Sequence, residues 1–198
     1  MSVYKGGTMT LTRVNQNGTN PVKLVSGNFW SPACSDDGDF VFYIAAEQPQ
    51  TIWKVPAIGG NPVRVAPVLG DQVVGRLSVA PNGKFLAYSY TQYGQVPSTG
   101  WNTAVVPLNG GSRVIQLESQ SRHDGQRWSP DGTKLQYFLD RNGVSNIWEQ
   151  PLSGRKPKQL TKFTSGQIFD FSWTPDHKNL LITGGSTTSD VVLLKNLR

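Results

Sequence analysis

The sequence predicts an all-β fold of repeated four-stranded antiparallel units, on three observations. One turn motif recurs four times at near-regular spacing. Each copy is followed by strand-length apolar runs in a fixed order. The composition is also turn-rich: of 198 residues, 21 are glycine and 13 proline, with 37% hydrophobic and only 16% charged. Such a chain carries enough apolar material for a substantial core and lacks the charge density of a disordered segment.

The four turns are Ser35-Asp36-Asp37-Gly38, Ala80-Pro81-Asn82-Gly83, Ser129-Pro130-Asp131-Gly132 and Thr174-Pro175-Asp176-His177. Aligned on residues 36, 81, 130 and 175, they recur every 45 to 49 residues. Proline presets φ at the first turn position, Asp or Asn accepts backbone hydrogen bonds, and glycine tolerates φ > 0. This is hairpin chemistry.

After each turn comes an apolar run: Phe40–Ala45, Phe85–Tyr90, Leu135–Leu139 and Leu180–Thr183. A third strand follows, at Thr51–Val55, Thr103–Val106, Asn146–Glu149 and Asp190–Leu194. In the first three units a glycine-bearing turn then leads to a fourth, at Pro62–Val65, Ser112–Ile115 and Pro157–Leu160. Each unit is a meander of about 45 residues, the size and order of a β-propeller blade. The expected architecture is therefore an all-β, β-propeller domain of about four to five blades. Residues 1–27 form a partial first blade, 28–66, 67–117 and 118–163 full blades, and 164–198 a partial last blade. The strand before each turn is the innermost one and carries Cys34, Val79, Trp128 and Trp173 at equivalent places, as blade-to-blade packing residues.

Both ends fall within a blade. Met9–Val14 and Pro21–Val25 read as the third and fourth strands of a unit whose first strand is missing. Three closures are open: the N-terminal strands complete the last blade, the chain is part of a longer propeller, or two copies join edge to edge as a homodimer.

Several function classes are excluded or weakened. The net charge is +6, but the basic residues are scattered, and Arg155-Lys156-Pro157-Lys158 sits in a hairpin turn; this predicts no nucleic-acid partner. No run approaches the ~20 apolar residues of a membrane helix, so no membrane insertion is expected. The segment Met1–Leu11 lacks a signal-peptide pattern, which points to the cytoplasm or to a piece of a longer protein. Cys34 is the one cysteine, and His123 and His177 the two histidines, which argues against a disulfide or a cysteine–histidine metal site. Asp36, Asp37 and Asp39 could offer oxygen ligands to Ca²⁺ but read as a solvated acidic turn. No G-x-S-x-G elbow occurs, and Ser121, His123 and Asp124 are neighbours in sequence without triad spacing. Gly184-Gly185-Ser186 precedes a strand, not the helix a phosphate loop requires. No cofactor, no metal and no enzymatic activity are expected.

Binding residues are placed by topology. Loops between blades and loops from second to third strands share one propeller face, and long loops on a rigid scaffold favour binding. The segment 91–102, with Tyr93 and Trp101, is an insertion that the other blades lack. The loops 67–74 and 118–124 lie on the same face. Arg76, His123, Asp124, Arg127 and Asp170 fall near the starts of innermost strands, hence near the channel mouth. These seven are the candidate site residues for a protein partner or small ligand. An enzyme using Asp124 and Asp170 in the channel, or an assembly role through open blade edges, are the alternatives.

Trp128-Ser129-Pro130-Asp131-Gly132-Thr133-Lys134-Leu135, with Asp140-Arg141-Asn142-Gly143 and Asn146-Ile147-Trp148, resembles the TolB-like propeller repeat. That repeat reads W-S-P-D-G, a strand, D-R-x-G, I-W, L-x-G-G and L-T. The unit from Trp128 to Thr161 matches nearly throughout, while Asp36 replaces the proline in one unit and His177 the glycine in another. The stretch from Gln167 to Val192 is similar to the ends of propellers fused behind bacterial Ser/Thr kinases and winged-helix regulators. The resemblance implies a sensor or protein-binding module, periplasmic or envelope-facing within a longer protein. It carries no kinase activity, because Leu139-Asp140-Arg141-Asn142 is not a kinase catalytic loop.

Overall fold

The computed structural model describes residues 2–5, 8–47, 50–67, 72–92, 101–109, 115–120 and 126–186. Its strands form separate antiparallel sheets, and no helix occurs among the described residues. The first sheet holds β1 (Ser2–Lys5), β2 (Thr8–Arg13) and β3 (Val22–Gly27). The second holds β4 (Phe29–Cys34), β5 (Phe40–Ala45), β6 (Thr51–Pro56) and β7 (Val63–Pro67). The third holds β8 (Gln72–Val79), β9 (Phe85–Gln92), β10 (Trp101–Pro107) and β11 (Ile115–Gln120). The fourth holds β12 (Gln126–Trp128), β13 (Lys134–Arg141), β14 (Val144–Pro151) and β15 (Lys158–Gln159). The fifth holds β16 (Gln167–Trp173) and β17 (Leu180–Gly185). In every sheet the strands lie in chain order, as a blade meander requires.

The four turns share one geometry. The first residue's N–H donates across the turn, to the carbonyls of Phe40, Phe85, Lys134 and Asn179 respectively. At the third position an Asp or Asn side chain caps the backbone two residues on: Asp37 takes the N–H of Asp39, Asn82 that of Lys84, Asp131 that of Thr133 and Asp176 that of Lys178. Where a Ser or Thr opens the turn, its hydroxyl donates to the same carboxylate. The fourth residue has φ of 78°, 66°, 65° and 57°, at Gly38, Gly83, Gly132 and His177. The first three positions select glycine for that reason; His177 holds the same strained angle with a side chain.

The second strands read as continuous apolar runs because both faces are covered by neighbouring sheets. Phe42, Ile44 and Ile52 of the second sheet pack against Leu77, Leu86, Tyr88 and Tyr90 of the third. Leu11 and Leu24 meet Phe29, Tyr43 and Val55. Ala87 and Val105 meet Trp128 and Leu135. Phe138 and Ile147 meet Ile168 and Phe171. The protein thus has a core for each pair of adjacent sheets. In β17 the same kind of strand is exposed, Leu181 at 61%.

Two of the inner-strand tryptophans, Trp128 and Trp173, do more than fill space. Trp128 Nε1 donates to the Ser78 carbonyl of the preceding sheet at 3.2 Å, and Trp173 Nε1 to Gln136 Oε1 at 2.8 Å. The cross-sheet hydrogen bond is what selects tryptophan over a plain hydrocarbon.

Several boundaries differ from those expected. The first sheet has three strands rather than two, because Ser2–Lys5 pairs with Thr8–Leu11. β8 starts at Gln72, so Arg76 lies inside a strand and residues 72–74 of the expected loop 67–74 belong to that strand. β10 starts at Trp101, which pairs with Gln120 and is not part of the inserted loop. The fourth strand of the third sheet lies at Ile115–Gln120, displaced towards the C-terminus from Ser112–Ile115. The third strand expected at Asp190–Leu194 lies outside the described residues.

Candidate binding site on the inner strands

The innermost strands β4, β8 and β12 come together around a cavity of about 740 Å³. Ser31 and Cys34 line it from β4, Arg76 and Ser78 from β8, and Gln126 and Arg127 from β12. Two of these strands are kinked by bulges. In β4, Ser31 and Pro32 together stand opposite Tyr43; in β8, Gly75 and Arg76 stand opposite Ser89. A bulge breaks the ladder and leaves an N–H to be satisfied in another way. Here hydroxyls do it: Arg76 N–H donates to Ser89 Oγ, and Leu77 N–H to Ser31 Oγ of the adjacent sheet, both at 2.8 Å. Ser31 adopts φ of 51°, a left-handed conformation for a residue with a Cβ, and its hydroxyl bond across the sheets holds it there.

Arg127 is fixed from behind. Its Nη2 meets Asp170 Oδ1 at 2.7 Å and its Nη1 donates to the Gln126 carbonyl at 2.9 Å. Asp170 also accepts the N–H of Phe171. Gln126 is 6% exposed. Its Oε1 accepts from the hydroxyl of buried Thr103 at 2.5 Å, while its Nε2 is buried without a hydrogen-bond partner.

Of the residues the sequence singled out, Arg76 and Arg127 line this cavity, and Asp170 reaches it only through its ion pair with Arg127. Trp101 heads β10. Tyr93, His123 and Asp124 lie outside the described residues. Ser31, Gln126 and Thr103 were not anticipated. Pro32 inside an inner strand is the one signal that could have pointed there, since proline within a sheet marks an edge or a bulge.

No three His, Cys, Asp or Glu side chains converge as a metal site among the described residues. Asp37 of the acidic cluster is a turn acceptor. The Ser35 hydroxyl and the Asp39 N–H hold its carboxyl below the usual carboxylate range.

No family model matches the chain. A curated relative, the "Uncharacterized peptidase YuxL" of Bacillus subtilis, is 28% identical over 123 residues, 59% of this chain and 19% of its own length. Among solved structures, TolB from Acinetobacter baumannii superposes with a TM-score of 0.60 at 18% identity, covering 92% of this chain and 44% of that one. A puromycin-hydrolysing peptidase of Mycobacterium tuberculosis superposes with a TM-score of 0.64, also at 18% identity, covering 93% and 34%. Oligogalacturonate lyase, acylaminoacyl peptidase and prolyl endopeptidase structures share the same likeness.

The protein has the TolB-like β-propeller fold. The chain spans about a fifth of the curated relative and less than half of the A. baumannii TolB structure. None of these relatives is a kinase or a winged-helix regulator. The expectation that the chain stands apart from enzymes is overturned: its curated relative is a peptidase, and peptidases and a lyase are among its solved relatives. The missing G-x-S-x-G elbow misled here, because a motif search inside a propeller says nothing of the enzymes in which such propellers occur.

Proposed function

We propose that this propeller is the substrate-binding part of a peptide-cleaving enzyme, and that peptide docks at the inner-strand cavity. The observation that carries this reading is the sequence match to a peptidase, of which the matched segment is 19%. The cavity supports it. It is polar, it is walled by strands from three consecutive sheets, and it contains two bulges, which recur beside functional sites. Titration of the full chain with short peptides, followed by tryptophan fluorescence, tests the proposal. Saturable binding that Arg76→Ala weakens is the expected result. No saturation with any peptide would overturn it.

A second reading, capture of a folded protein partner, is favoured by the extent of the TolB likeness, which covers 93% of this chain and 78% of a putative TolB from Agrobacterium tumefaciens. Under this reading Tyr93 and Trp101 form the contact face. Their replacement by alanine then abolishes capture of the partner without lowering the melting temperature.

A further inference from the structure

We infer that the cleft between the third and fourth sheets, at the end where the hairpin turns lie, is a docking groove for an acidic segment of a protein partner that also carries apolar side chains. This is independent of the peptide-cleavage reading, since no residue lines both this cleft and the inner-strand cavity. It is also remote from the contact face of the second reading. Trp101 heads β10, whereas Pro107, at the other end of that strand, lines the neighbouring cleft.

Two clefts are built alike, each where the first turn of one sheet meets the next sheet. Between the second and third sheets the cleft is about 690 Å³, and its charged lining is Asp37, Lys54 and Lys84. Between the third and fourth it is about 600 Å³, lined by Lys84, Lys134 and Arg155 with no carboxylate. One turn position accounts for the missing acid. Asp37 borders the first cleft and Asn82, its equivalent, the second, and each caps the N–H two residues on.

Lys134 is paired with Glu149 at 2.9 Å. Lys84 and Arg155 form no ion pair among the described residues. Two uncompensated cations on one cleft favour carboxylates. Between them Phe85, Pro151 and Leu152 offer apolar surface. Phe85 and Leu152 are half-buried and rest on the core formed by Ala87, Trp128 and Leu135. An apolar centre within a charged rim suits a peptide, which brings both kinds of group, whereas a nucleic-acid backbone would leave the apolar surface unused.

The backbone on both sides is held before any partner arrives. The Lys84 N–H donates to Asn82 Oδ1 at 3.0 Å, and the Arg155 carbonyl accepts from Gln150 Nε2 at 2.7 Å. Docking then orders little beyond the two long side chains.

Fluorescence anisotropy on the full chain tests this with three fluorescein-labelled peptides. They are Glu-Asp-Phe-Glu-Leu-Asp, its neutral counterpart Gln-Asn-Phe-Gln-Leu-Asn, and Glu-Asp-Ser-Glu-Ser-Asp, which keeps the charge without the apolar side chains. The first is expected to bind saturably and at least tenfold more tightly than either of the others. Lys84→Gln combined with Arg155→Gln should weaken it at least tenfold. Lys23→Gln combined with Lys178→Gln, which removes the same charge elsewhere, should not. All four positions are exposed, so the variants keep the fold. Equal loss in both double variants would assign binding to overall charge and overturn the groove. Equal binding of the neutral peptide, or tighter binding of a labelled oligothymidylate than of any peptide, would overturn it too. Loss on Arg76→Ala but not on the Lys84 and Arg155 pair would move the peptide to the inner-strand cavity. No binding of the acidic peptide would overturn the groove and leave the inner-strand reading standing.

Discussion

Asn82 reaches from the turn of one blade into the turn of the next, where its Nδ2 donates to the carbonyls of Asp131 at 3.2 Å and Gly132 at 2.8 Å. The same side chain caps its own turn through Oδ1. One asparagine therefore shapes a hairpin and couples two blades. The contact is so close that a Cβ at Gly132 would lie 2.7 Å from Asn82 Cγ, at a backbone φ of +65°. Gly132→Ala is expected to cost about 2–3 kcal/mol in a urea denaturation experiment. In an Asn82→Ala background part of that cost should disappear, because the clashing atoms are gone; additive effects of the two changes would contradict the coupling.

His177 occupies the glycine position of the last turn with φ of 57°. Its N–H still donates to the Thr174 carbonyl, so the turn forms, but a Cβ in the left-handed region is unfavourable. His177→Gly should raise stability by about 1 kcal/mol. Thermal denaturation measures this, and a lowered melting temperature would speak against it.

Acid should loosen three of the four turns. Asp37, Asp131 and Asp176 are each held below the ordinary carboxylate value of 3.8, first by a Ser or Thr hydroxyl and then by a backbone N–H. A depressed folded-state value means that the contribution is present above the unfolded value and lost as pH falls through the folded one. Stability should therefore decline below about pH 4, and Asn82, which does not titrate, leaves the remaining turn unaffected. A triple Asp→Asn variant at positions 37, 131 and 176 should show a flatter profile between about pH 2 and pH 5 in urea melts. An unchanged acid limb would assign the loss to other groups.

The inner-strand tryptophans should not be replaceable by phenylalanine at equal cost. Trp173→Phe removes the donor to Gln136 Oε1, an atom of a residue 1% exposed. A buried acceptor losing a partner costs about 1–3 kcal/mol. Trp128→Phe takes a longer bond from a backbone carbonyl and should cost less at the hydrogen bond itself. Chemical denaturation of both variants gives the comparison.

Turn chemistry is local, which is why residues 35–38, 80–83, 129–132 and 174–177 were readable from residue type alone. Sandwiched strands such as Phe40–Ala45 were readable because burial on both faces leaves an unbroken apolar run. Ser2–Lys5 was not, since a run of four residues is too short to carry a periodic signal. The bulges at Ser31 and Arg76 were also hidden, because they express a mismatch between two paired strands and no property of either. Arg76 and Arg127 were singled out, but that both border one cavity depends on three sheets packing side by side. That is a non-local outcome which no window along the chain contains.

Among the described residues each sheet shares its core with the sheets next to it in the chain, and β17 presents Leu181 and Ile182 outward. Such a stack behaves as a one-dimensional array, whose stability is set interface by interface. Heating should peel it from the fifth sheet inwards, and amide protons of β16 and β17 should exchange before those of β5 and β9. The second and third sheets, which enclose Tyr88 and Tyr90, would then persist as the last structured remnant. The cavity wall on β4 and β8 would outlive its Arg127 side.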